Sequence, residues 1–131
     1  MLYGQTAFQC VKEFHEIFGQ PAPTEVDWVD KDRVELRFEL IREELNELQE
    51  SYEDGDFHNT IKELADLLYV VNGFAVEMGL DGDEIVQLVH HSNMTKLDEN
   101  GKAIFREDGK VLKGPNYKPV TKETVQRFLD S

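Results

Sequence analysis

The sequence predicts an all-α protein: an antiparallel bundle of about four core helices, followed by a small C-terminal β-hairpin and a short terminal helix. Three observations point there. Val34, Phe38, Ile41, Leu45, Leu48 and Tyr52 recur in alternating steps of four and three, the rhythm of one helical face. Leu64 to Val76 is apolar on nearly every side, as in a helix enclosed by others. Asp108-Gly109, set between two short β-prone runs, is a strong hairpin signal.

Taken in order, Thr6 is an N-cap and Gly19 a stop for a first helix with Ala7, Val11, Phe14 and Phe18 on one side. Cys10 reads as a small apolar group against a neighbouring helix. Gln20 to Asp27 carries two prolines and reads as a loop, with Trp28 expected to anchor it to the core. The second helix starts near Asp30 or Asp32 and runs to about Glu53. After the turn Asp54-Gly55-Asp56, a third helix spans Phe57 to Met78 and is expected to be central and the most buried, with Gly79 ending it. A fourth starts near Asp83 and continues towards His90 or His91. In the hairpin, Ala103–Glu107 and Lys110–Leu112 are expected to pair with Phe105 opposite Leu112. Lys113 to Tyr117 is an irregular loop, and Thr121 caps a last helix bearing Val125, Phe128 and Leu129. The 131 residues read as one domain, with a helical core over 1–92 and a hairpin-and-loop tail over 93–131.

Composition narrows the function. With 27 acidic and 14 basic side chains the formal net charge is -13, which argues against a general binder of nucleic acid or anionic membranes. The single cysteine excludes an intramolecular disulfide and a Cys-rich zinc site. No apolar run approaches the length of a membrane span and no signal-peptide pattern opens the sequence, so a cytoplasmic location is expected.

Against this background one stretch is chemically distinctive. Glu43-Glu44-Leu45-Asn46-Glu47 lies on the second helix and Glu63-Leu64-Ala65-Asp66 on the third. Residues three apart share a helical face, so Glu44 stacks with Glu47 and Glu63 with Asp66. On antiparallel helices the two pairs can surround one point, with Glu43 pointing further out. Glu50, Glu53 and Asp54 fit an ordinary solvated face, but Glu63 and Asp66 sit in and beside the most apolar segment. A buried unpaired carboxylate costs several kcal/mol or is neutralised. Two like charges about 4 Å apart repel by roughly 4 kcal/mol at an effective dielectric near 20. Helical phase places Lys62 and Arg42 away from the acids and Arg37 near Glu44. Divalent metal is the better compensation, and all-oxygen ligation selects Mg²⁺, Mn²⁺ or Ca²⁺. Gly73, two turns beyond Asp66 on the same stripe, leaves room for something other than its own side chain.

Other templates fail. No histidine follows a glutamate three residues earlier, as a di-iron bundle requires. Asp81-Gly82-Asp83 opens like a calcium loop, but Ile85 occupies the third ligand position. No phosphate-binding glycine loop, dinucleotide fingerprint or nucleophile elbow is present. The four histidines show no catalytic spacing and read as surface or core-edge residues.

The two acidic stretches resemble the E-E-x-x-E … E-x-x-D signature of the all-α nucleoside triphosphate pyrophosphatases, the MazG-like and phosphoribosyl-ATP pyrophosphohydrolase-like group. Val11–His15 with Phe18-Gly19, Ser92–Lys96 and Arg106–Tyr117 resemble one compact branch of it. The resemblance implies hydrolysis of a nucleoside triphosphate between the α and β phosphates, giving a monophosphate and pyrophosphate. It implies two or more Mg²⁺ ions (Mn²⁺ could substitute) and a homo-oligomer built on a dimer. Glu44, Glu47, Glu63 and Asp66 would be metal ligands, and Glu43 would take a proton from the attacking water or hold a further ion. Lys96 and Lys113 would supplement the metals against phosphate charge, with Asn93, Asn116 and Tyr117 as hydrogen-bonding partners. The branch includes dUTP-preferring, house-cleaning enzymes, although no residue here selects uracil. Phosphoribosyl-ATP hydrolysis, and a non-enzymatic helical interaction protein with a structural metal, are the alternatives.

Overall fold

The computed structural model describes residues 2–131. Five helices and one two-stranded antiparallel hairpin follow in the order α1 (Ala7–Ile17), α2 (Lys31–Glu53), α3 (Phe57–Glu77), α4 (Gly82–Met94), β1 (Ile104–Phe105), β2 (Val111–Leu112) and α5 (Lys122–Asp130). The fold is therefore all-α with a small hairpin, as the sequence predicts. The chain divides into two compact units, Met1–Asp83 and Glu84–Ser131.

In the first unit, local chemistry sets the helix ends. Thr6 and Gln9 form a reciprocal capping box at α1, and Asp30 and Asp56 cap α2 and α3 through the amides of Asp32 and Asn59. The end of α3 is a Schellman motif: Leu80 N–H donates to Ala75 O (3.0 Å) and Gly79 N–H to Val76 O (3.0 Å). Gly79 has φ +72°, and a Cβ there would lie 2.8 Å from the Glu25 carbonyl carbon, so only glycine fits. That close approach, with Asp27 N–H donating to Met78 O (3.1 Å), straps the 20–30 loop across the end of α3.

α3 packs against both α1 and α2, which makes it central. Its apolar girth is nevertheless not enclosed. Ala75 and Val76 join Phe8, Val11 and Val29 in the buried core, whereas Leu64, Leu68 and Val71 are exposed. Two neighbours cover two sides of a helix and leave its third apolar side open. The α2 seam splits in the same way: Val34, Ile41 and Leu48 are half-buried, while Phe38, Leu45 and Tyr52 are exposed. Trp28 does not anchor the loop, being 86% exposed; its neighbour Val29 turns inward instead at 7%.

The second unit is held by side-chain to backbone bonds. Ser92 Oγ donates to Lys118 O (2.7 Å), and Lys118 N–H donates to Thr95 Oγ1 (2.8 Å), which ties the tail to the end of α4. The hairpin pairs Ile104 with Leu112 and Phe105 with Val111, one residue from the expected Phe105–Leu112 pair. The cause is loop length. Arg106 N–H donates to Lys110 O (2.7 Å), closing a three-residue loop, Glu107-Asp108-Gly109, instead of a two-residue Asp-Gly turn. Asp108 holds that loop by pairing with the Arg106 guanidinium and accepting from Lys110 N–H.

Candidate active site

The acids meet on the facing sides of α2 and α3. The short turn 54–56 forces the two helices antiparallel, which brings the fourth and fifth turns of α2 alongside the second and third turns of α3. Glu44, Glu63 and Asp66 each offer a carboxylate oxygen within 4.8 Å of the others. Glu63 is buried; Glu44 and Asp66 are half-buried. Glu47 is exposed at the edge, close enough that Glu63 raises its pKa, chiefly through a shared hydrogen bond. Glu43 is exposed and outside the convergent trio.

The site is short of donors. Glu44 Oε2 and Glu63 Oε2 are buried with no hydrogen-bond partner. Burial, then hydrogen-bond sharing with Glu63 and the charges of Glu47, Asp66 and Glu63, push the Glu44 carboxyl up to about 7. One organic cation does reach in, against the sequence expectation. Lys62 Nζ lies 2.7 Å from Asp66 Oδ2 and 3.3 Å from Glu63 Oε1, and its own pKa is raised by Asp66 and then Glu63. Lys62 and Asp66 are four residues apart, the helical spacing that brings side chains together. Arg42 does stay away, its guanidinium 5.9 Å from the Phe38 ring centroid. Among the described residues a single exposed ammonium faces four carboxylates, which leaves net negative charge, and oxygens buried without donors suit a hard divalent cation.

Arg37 is not a neighbour of Glu44. It is buried at the far end of the α2–α3 contact, paired with Glu77 (3.2 Å) and donating to Val70 O (2.7 Å). The space that Gly73 leaves is filled by this guanidinium, for a Cβ there would lie 2.9 Å from Arg37 Cζ. His15, expected at the surface or core edge, is buried beside it and donates from Nδ1 to Pro21 O (2.9 Å). Sequence reasoning missed this polar cluster. Its one signal was Glu77 at the end of an apolar helix, seven residues from Val70 and fourteen from Glu63 on a single stripe.

Among the tail residues, the second unit brings three together. Lys96 Nζ and Lys113 Nζ lie 6.0 Å and 5.1 Å from the Tyr117 ring centroid, as cation–π contacts. Gly114 allows the loop to pass tightly under Leu97, where a Cβ would meet Leu97 backbone at 2.8 Å. Asn93 and Asn116 are exposed.

An antiparallel helix pair with converging acids on a bundle of this kind defines the all-α NTP pyrophosphatase superfamily. Within it the chain belongs to the phosphoribosyl-ATP pyrophosphohydrolase family, whose model matches residues 11–93. An uncharacterised protein of Acanthamoeba polyphaga mimivirus is 28% identical over 133 residues, covering 96% of this chain and 50% of that protein. The chain thus spans about half the length of that curated relative. A crystal structure from Exiguobacterium sp. 255-15, provisionally assigned as an NTP pyrophosphohydrolase, shares the fold with a TM-score of 0.50 and 24% identity. That alignment covers 96% of this chain and 95% of the other. No helix among the described residues is long and apolar enough to cross a membrane.

The raised Glu44 pKa makes a pH prediction for the metal-free protein. The folded state binds this proton more tightly than the unfolded chain does. Its stabilisation is therefore complete below the ordinary value of 4.5 and lost as pH rises through about 7. The melting temperature in excess chelator should fall between about pH 5 and about pH 8, and Glu44→Gln should flatten that fall. Thermal scans across this range decide it; an equally steep fall in the variant would remove Glu44 as the cause.

Proposed function

We propose that this chain hydrolyses a nucleoside triphosphate between its α and β phosphates, releasing a nucleoside monophosphate and pyrophosphate with Mg²⁺ as cofactor. The observation that carries the reading is the convergence of Glu44, Glu63 and Asp66 with buried oxygens that no protein donor satisfies. Glu44, Glu63 and Asp66, with Glu47 at the edge, would hold two or more ions; Mn²⁺ fits the same oxygen set. When bound, such ions polarise the phosphorus centre and neutralise the triphosphate, which the acids alone would repel.

The chain's own residues do the rest. Glu43, solvated on the same helix, accepts the proton of the attacking water. Lys62 stays charged and balances part of the acid cluster. Lys96 and Lys113, held about one tyrosine ring, bind phosphate oxygens, with Asn93, Asn116 and Tyr117 as hydrogen-bonding partners. A dUTP-type or other non-standard nucleotide, removed from the pool by a house-cleaning enzyme in the cytoplasm, is the substrate class this reading favours. Phosphoribosyl-ATP is the second candidate, supported by the family match over residues 11–93. The apolar side of α2 and α3, with Leu45, Leu64 and Leu68 in the open, supports a homodimer or a dimer of dimers.

Hydrolysis in ¹⁸O-labelled water tests the bond broken. Label should enter the monophosphate, pyrophosphate should leave as one unit, and Asp66→Asn should abolish turnover. A panel of common and non-standard triphosphates together with phosphoribosyl-ATP then identifies the substrate. Label in orthophosphate, with a diphosphate as first product, would end this reading.

Roles separate kinetically. Glu43→Gln should lower kcat more than it weakens metal binding, and Lys113→Ala should raise KM while leaving stability within about 0.5 kcal/mol. Equal loss of metal affinity in Glu43→Gln and Glu47→Gln would make Glu43 an ordinary ligand.

Sedimentation velocity checks the assembly. The wild type should sediment as a dimer or larger, and Leu68→Asp should shift it towards monomer. A monomeric wild type at micromolar concentration would remove the homo-oligomer.

A further inference from the structure

Two turns along the α2–α3 contact from the acids, the buried chemistry changes sign. Arg37 precedes Glu44 by seven residues and Gly73 follows Asp66 by seven, so both continue the stripes that carry the carboxylates. Arg37 lies flat on the backbone of α3: Nη2 donates to Val70 O (2.7 Å) and Nη1 is 3.2 Å from Glu77 Oε2. Any side chain at position 73 would displace it, and His15 Nε2 closes the same space 3.2 Å from where a Cβ would stand. Arg33 grips Glu77 from the other side with a two-pronged contact, Nε to Oε1 at 3.1 Å and Nη2 to Oε2 at 2.9 Å. Its Nη2 also donates to Gln20 Oε1 (2.9 Å) in the loop after α1. The Glu77 side chain is 1% exposed.

At the opposite end of the contact, the 54–56 turn joins the helices and Asn59 Nδ2 donates to Ser51 Oγ. The carboxylates therefore lie between two polar clamps. Between those clamps, like charge pushes α2 and α3 apart, and the half-open apolar seam offers only non-directional contact against it. A buried ion cluster adds little net stability over apolar residues of similar size, because desolvation offsets attraction. What it supplies is direction, since a planar guanidinium bonded to a carboxylate and a main-chain carbonyl fits at one rotation and one spacing.

We propose that Arg33, Arg37 and Glu77 are positioning residues: seated over Gly73, they fix the spacing and rotation of α2 against α3 and so keep Glu44 in reach of Glu63 and Asp66. The link to metal binding rests on the function proposed above; the mechanical claim stands on the contacts alone.

The test replaces the whole cluster by apolar groups of similar size, as Arg33→Met, Arg37→Met, Glu77→Leu. Two readouts are taken. One is Mn²⁺ affinity by calorimetry. The other is the distance between nitroxide labels at the exposed positions Glu39 and Ala65, each changed to Cys in a Cys10→Ser background. A cluster that merely stabilises would be replaced without effect on either readout once the variant is folded. Positioning instead gives a folded variant of similar melting temperature in chelator, a broadened label distance and Mn²⁺ affinity lower by about tenfold or more. A folded variant with the wild-type distance and affinity overturns the proposal.

Should the triple variant fail to fold, Arg37→Lys carries the same measurements. Lysine keeps the charge but cannot span Val70 O and Glu77 with one rigid fork. Unchanged distance and affinity in that variant overturn the proposal equally. If the wild type binds no Mn²⁺, the metal reading falls, and the label distances still decide the positioning claim.

Discussion

The mutual repulsion of carboxylates brought to one place is the constraint around which the first unit is built. Glu44, Glu63 and Asp66 occupy a helix contact where apolar side chains would ordinarily interdigitate, and two of their buried oxygens have no donor. Lys62 relieves part of the charge from the surface, through Asp66 and Glu63. The remainder is held by covalent connection through a short turn and by directional polar contacts on either side. Where acids are forced together in this way, a cation entering the site meets ligands already in place, so little ordering has to accompany binding.

That arrangement explains an unusual core. The buried apolar set is small, Phe8, Val11, Val29, Ala75 and Val76, and it lies with α1 and the C-terminal half of α3. Beside it are His15, Arg37 and Glu77, buried polar groups that join α1, the loop after it, α2 and α3. Apolar area left over appears outside, along α2 and α3, where Leu45, Leu64 and Leu68 face open space. Few fully buried apolar residues beside a broad exposed apolar surface are what supports the homo-oligomer proposed above.

The second unit follows a different logic. Its order comes from hydroxyls and main-chain groups, Ser92 and Thr95 with Lys118, and from glycine at 114 where no side chain fits. Lys96 and Lys113 share the Tyr117 ring, which concentrates positive charge in a chain that otherwise carries a strong negative excess.

Local chemistry was legible without coordinates. Helix positions followed from apolar spacing and from Thr6 and Thr121 as caps, because capping and periodicity involve residues only a few positions apart. The acid pairs were legible for the same reason, since three-residue spacing fixes a shared face whatever the helix packs against. Tertiary structure decided everything that depends on what lies across from a residue. It turned Val29 inward and left Trp28 outside. It moved the hairpin by one position through a hydrogen bond across the loop, and sent Arg37 to Glu77 forty residues away rather than to Glu44 on its own helix. It also left one side of α3 bare, because an apolar sequence states that a helix can be covered all round but not how many neighbours arrive to cover it.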